Sequence, residues 1–170
     1  QCNYLEAHME PIVPLPGLVW QAVDPSPAVL EMEDAGRRII VKLKADQHVA
    51  WVRDSGHSGV CSIRLKGFPH RIIRYVPVGH PIHVKKNTTY RFEGWVKTAG
   101  ARARLWIGFI WYSLEDLLDE ATSVTVEPNN GWSKIGVVLT NRDCPYVVCR
   151  LEIEGGGYAW YDDLYVGEVA

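Results

Sequence analysis

The feature that most constrains this chain is a period-two recurrence of apolar residues in short runs, broken by Gly, Pro, Asn and Asp. Side chains on a strand point alternately to opposite faces, so this period argues for β-strands with one covered face. The clearest case runs from Thr89 to Thr98. Tyr90, Phe92, Gly94 and Val96 fall on one face and read as core, whereas Arg91, Glu93, Trp95 and Lys97 fall on the other. The same pattern predicts strands over Cys2 to Met9, Ala28 to Glu31, Arg38 to Lys44, His48 to Arg53, Gly59 to Lys66, Arg71 to Val76 and Ile82 to Val84. It continues over Ala103 to Tyr112, Ser123 to Val126, Ser133 to Thr140, Tyr146 to Glu154 and Tyr158 to Val166. Long strands with an apolar inner face need a second sheet to cover it, so the economical fold is all-β: an antiparallel two-sheet β-sandwich of jelly-roll type. The one helical segment predicted is Leu114 to Ala121, short and acidic.

A chain of 170 residues suits one domain, 1–170, with a substantial core. Its formal net charge of −2 leaves no basic footprint for nucleic acid or an anionic membrane surface, and no apolar run approaches a bilayer span. The start carries no secretory signal, and Gln1 reads as a processed or excised terminus. Of the four cysteines, Cys61 alternates with Ile63 and Leu65 as a core thiol, while a Cys144 to Cys149 bridge would need a turn between the two. The six histidines lack zinc spacing. Asn87-Thr88-Thr89 is a glycosylation acceptor only if the chain passes through a eukaryotic secretory route.

The last predicted strand places two adjacent carboxylates, Asp162 and Asp163, in an aromatic and aliphatic run. One should face solvent and the other the sandwich, where an unpaired charge would cost several kcal/mol. A hard cation or an Arg partner would each remove that cost. Three outward rows carry chemistry suited to sugars, whose apolar C–H faces stack on aromatic planes while charged groups bond the hydroxyls. They supply Trp95 and Glu93, then Trp106, then Arg150 and Glu152. Trp20, Trp51, Trp132 and Trp160 read as packing residues, with Trp51 lining the cleft only if its strand neighbours the Trp95 strand. No nucleophile elbow, phosphate loop or His-Glu-x-x-His motif occurs. Glu93 with Glu152 is the carboxylate pair to weigh for a glycosidase, and their Arg and Lys neighbours are wrong for a general acid, so the chain reads as a non-enzyme.

The order of local motifs resembles the jelly-roll carbohydrate-binding modules of families 4, 9, 16 and 22, in the galactose-binding-like group. The residues that carry the likeness are Asn3 to Glu10, Pro16 to Trp20, His57 to Leu65, Val84 to Lys97, Gly131 to Ser133 and Trp160 to Leu164. His8-Met9 and the acidic run Glu115 to Glu120 depart from the pattern. The resemblance implies a structural Ca²⁺ tying the chain ends to a mid-chain loop through Glu10, Asp54 and Asp162 or Asp163. It also implies a polysaccharide or oligosaccharide partner, a covalently attached catalytic domain and an extracellular setting. The competing class is a structural or docking sandwich that binds no sugar.

Overall fold

Alternating sequences pair edge to edge wherever a neighbouring strand offers the same register. Here they do so in two sheets, as seen in a computed structural model that describes residues 10–11, 28–34, 36–43, 48–52, 55–58, 62–77, 82–128 and 131–169. In chain order the strands are β1 (Glu10–Pro11), β2 (Ala28–Asp34), β3 (Arg37–Leu43), β4 (Val49–Val52), β5 (Ser62–Gly67), β6 (Ile72–Tyr75) and β7 (Ile82–His83). There follow β8 (Thr88–Ala99), β9 (Arg102–Ile110), β10 (Leu117–Thr122), β11 (Ser133–Asn141), β12 (Tyr146–Glu154) and β13 (Gly157–Glu168). One sheet has the order β11-β8-β13-β5-β4, with β1 added to β13 in parallel; the other has the order β10-β9-β12-β6-β2-β3, with β7 added to β12. All other pairings are antiparallel. The all-β, two-sheet jelly roll read from the sequence is the observed fold.

The core lies between the sheets. Tyr90, Phe92 and Val96 of β8, Ile63 and Leu65 of β5 and Tyr161 of β13 face Leu105, Ile107 and Phe109 of β9 and Leu151 and Ile153 of β12, all buried. Each large apolar side chain so buried contributes about 1.5–3 kcal/mol. Two contacts cross the gap directly: Tyr90 meets Phe109 edge-on at 6.0 Å, and the Tyr161 hydroxyl donates 2.6 Å to the Glu152 carbonyl. Burial raises the Tyr161 phenol well above its ordinary value, so that hydroxyl keeps its proton and remains a donor.

Two expectations change. Leu114 to Ala121 is not a helix but a 3-10 turn, Leu114–Asp116, that runs into β10. Ser113 and Asp116 cap the turn reciprocally, and Asp116 also accepts the N–H groups of Trp111 and Tyr112, so the chain reverses instead of coiling on. The free edge of β9 then captures residues 117–122. Ser123 to Val126 is not a strand either. Ser123 Oγ accepts the Leu105 N–H in place of a backbone carbonyl, and Val126 alone bridges to Ala103. Cys144 and Cys149 are separate buried thiols, and the Asn141 side chain, which bonds both the N–H and the C=O of Cys144, shapes the turn into β12. The predicted strand from Cys2 to Met9, with Cys61, Trp20 and Asp54, lies outside the described residues.

Candidate functional site

The five sugar-site candidates do not share a face. Trp95 and Glu93 lie on β8, whereas Trp106 lies on β9 and Arg150 and Glu152 on β12, in the opposite sheet. All five point away from the core between the sheets, as parity predicts, so the two groups stand on opposite sides of the sandwich. Glu93 and Glu152 therefore cannot flank one glycosidic bond. Glu93 pairs with Arg91 and Lys134, and Glu152 with Arg74 and Arg104.

The second sheet's outer row is sealed. Trp106 is 2 %, Arg150 1 % and Glu152 2 % exposed. The Arg150 guanidinium caps the Trp106 ring at 3.7 Å, and the indole N–H donates 2.9 Å to Glu120. Beside them, Arg74 joins Glu152 at 2.7 Å and Glu33 at 3.0 Å, while Arg104 joins Glu152 and Glu154. Buried ions need such mutual pairing to offset desolvation. The network runs to a cavity of about 480 Å³ where the turns at Gly36, His70, Gly100 and Gly155 meet; its walls include Glu33, Arg102 and Glu154. Both glutamates are already paired with arginines.

The first sheet's outer face is open and aromatic. Trp160 of β13 lies opposite Lys97 of β8 and Arg64 of β5, and Trp132 leads into β11 on the other side of β8. The Lys97 ammonium sits between two indoles, 4.6 Å from the Trp160 ring centre and 5.2 Å from that of Trp132. Tyr158 lies 6.0 Å from Trp160, and the Arg64 guanidinium covers it at 4.9 Å. All three rings are partly exposed. Trp132 and Trp160, read from the sequence as packing residues, are therefore surface residues. For Trp160 the cause is a β-bulge: Asp162 pairs with Trp95 but Tyr165 with Glu93, so β13 carries one residue more than β8 at this point. Counting back by twos from the buried Leu164 puts Trp160 in the core, and the extra residue turns it outward.

The bulge residue is Asp163, at φ 51°, a left-handed conformation that Asp tolerates better than most residues. Its neighbour Asp162 is fully buried beneath the 55–58 loop. The Asp162 carboxylate accepts N–H bonds from His57 (2.7 Å), Ser58 (3.1 Å) and Asp163 (2.8 Å). Those dipoles compensate the buried charge for which the sequence suggested a cation. Asp163 holds the same loop from outside, accepting from Ser58 Oγ and from His57 Nδ1–H at 2.8 Å; a carboxylate only accepts, so Nδ1 carries the proton. The loop lays His57 flat on Trp95 at 3.8 Å between ring centres, and Ser55 Oγ accepts from the Lys97 ammonium. Trp95 is thus half covered by its own protein.

Of the expected calcium ligands, Glu10 lies opposite Tyr165 through the β1–β13 pairing, two residues along the strand from Asp163. Carboxylates at this seam suit Ca²⁺ better than a transition metal. Among the described residues, no three metal-ligating side chains gather in one place.

No family model matches the chain, and no curated protein matches it. Solved structures do. The enzymatically active domain of bacteriophage CBA120 tailspike protein 4 superposes with a TM-score of 0.60 at 11% identity, covering 85% of this chain and 20% of that one. The CBM22-1–GH10 modules of Clostridium thermocellum xylanase 10B, complexed with xylohexaose, give 0.57 at 12% identity over 75% of this chain and 25% of that one. TmCBM61 in complex with β-1,4-galactotriose gives 0.52 at 13% identity over 82% and 88%. The chain thus spans about a fifth and a quarter of the first two structures and most of the third. Its fold is that of the galactose-binding-like jelly-roll carbohydrate-binding modules.

Proposed function

We propose that this domain binds a polysaccharide or oligosaccharide on the outer face of the β11-β8-β13-β5-β4 sheet, without catalysing its cleavage. One observation carries the reading: Trp132, Trp160 and Tyr158 stand partly exposed on one sheet face with polar groups between them. A pyranose packs its C–H faces on such rings, and interleaved donors bond its hydroxyls. In this reading Trp95 acts mainly by holding His57 at the edge of the row, and Glu93 lies one step further along β8. Trp106, Arg150 and Glu152 organise the opposite face. The role that follows is to keep an attached catalytic domain near an extracellular glycan by raising its local concentration.

The test is affinity electrophoresis through gels containing soluble polysaccharides. Retardation by at least one glycan should be lost in Trp160→Ala and weakened in Trp132→Ala, with near-ultraviolet circular dichroism unchanged. A Trp160→Ala variant retarded as strongly as the parent would remove this face from the function. The second reading, a docking module, draws on the β9–β10 turn, where Trp111 and Tyr112 project into solvent. It is favoured if no glycan retards the protein.

We also propose a structural Ca²⁺ at the chain-end seam, held by Glu10 and Asp163 with backbone carbonyls and Asp54, while Asp162 stays on its backbone donors. The support is the β1–β13 pairing, which places Glu10 beside the bulge.

A further inference from the structure

Cations on the open face fall into two groups. At one end of β8, Arg91 and Lys134 share Glu93, and Lys85 pairs with Glu168. At the aromatic end, Lys97 and Arg64 have no carboxylate partner among the described residues; their neighbours there are the rings of Trp132, Trp160 and Tyr158 and the Ser55 hydroxyl. The two nearby carboxylates, Asp162 and Asp163, are turned to the 55–58 loop. A cation held over an aromatic ring keeps its charge and is attracted by the ring face, yet it has no counter-ion of its own. In sequence across the strands the row reads Trp132, Lys97, Trp160, Arg64, so ring and charge alternate.

We infer that the glycan recognised here is anionic, a polysaccharide bearing carboxylate or sulfate groups, an inference that rests on the aromatic row being the binding face. The alternation fits a chain in which each pyranose offers an apolar face to an indole and an acidic substituent to the adjacent cation. Arg64 and Lys97 would make charge-assisted hydrogen bonds to that substituent, stronger than those to a neutral hydroxyl. The chain's net charge of −2 supplies no general attraction for polyanions, so such binding must come from this local arrangement.

The experiment is affinity electrophoresis against polygalacturonate, dextran sulfate and, as neutral polymers, xylan and dextran. We expect retardation by at least one of the two anionic polymers, exceeding that by either neutral one and falling as salt rises to about 0.5 M, where the screening length is only a few ångströms. Retention by polygalacturonate alone assigns a carboxylate ligand, and retention by dextran sulfate alone a sulfate ester. Lys97→Met, which keeps the apolar stem between the indoles, should weaken anionic binding about tenfold, the scale of one charge-assisted contact. Lys134→Met, whose charge is shared with Glu93, should change it little. Retardation by neutral polymers alone, with Lys97→Met unaffected, overturns the anionic assignment and leaves the aromatic reading standing. Retardation by none of the four, together with none by the wider glycan panel, overturns both.

Discussion

Asp162 shows how a single side chain joins distant parts of the molecule. Its carboxylate takes N–H bonds from residues 57 and 58, more than a hundred positions earlier, and from its own neighbour, so it pins the 55–58 loop to the last strand. Asp162→Asn keeps the shape but replaces one acceptor oxygen with a donor, which sets an N–H against at least one backbone N–H. The variant should lose about 2–3 kcal/mol of stability, the scale of buried bonds to a charged acceptor, read as a lower urea midpoint with an unchanged slope. An unchanged midpoint would mean that the loop contributes nothing to folding. The sequence made the carboxylate pair conspicuous, because acids in an aromatic strand need a partner. It did not reveal that the partner was backbone, since N–H groups carry no residue identity and any loop can supply them.

At the scale of the element, parity was legible wherever a strand was regular. On β8 the alternation of Tyr90, Phe92 and Val96 with Arg91, Glu93 and Lys97 is the alternation of buried and outward residues observed. On β13 the bulge at Asp163 reversed the count, and Trp160 changed from a packing residue to a surface residue as a result. The short acidic segment after Ser113 failed differently. Its cap residues were visible, but a three-residue turn and the unpaired edge of β9 decided between helix and strand. Gly108 of β9 belongs to the same level. A Cβ there would lie 2.4 Å from the Trp106 ring and 2.7 Å from Leu117, so the glycine is the bed on which the indole lies. Gly108→Ala should displace that ring from under Arg150 and cost about 1–3 kcal/mol, the usual range for overpacking. Equilibrium denaturation checks the loss, and a change in tryptophan circular dichroism checks the cause.

For the whole molecule, the seam where β1 joins β13 parallel sets how firmly the chain's two ends are held. If Ca²⁺ bridges that seam, adding it in millimolar excess should raise the melting temperature by several degrees and a chelator should reverse the shift, since a ligand of the folded state alone stabilises by mass action. An identical melting curve with calcium and with chelator would leave the Asp162 bonds as the clasp and remove the ion from the account. The sandwich also divides the functional candidates between opposite sides. One side is an ion network sealed around Trp106 and Arg150, and the other is an open row of rings and cations. The fold class and the outward set on each regular strand follow from local alternation and from motif order, which the chain carries residue by residue. Which outward rows share a sheet, which are covered, how β1 joins β13 and which cations lack a counter-charge among the described residues were decided only by the tertiary structure. Strand order, one added residue in a bulge and the approach of loops distant in sequence are non-local, and no window of sequence contains them.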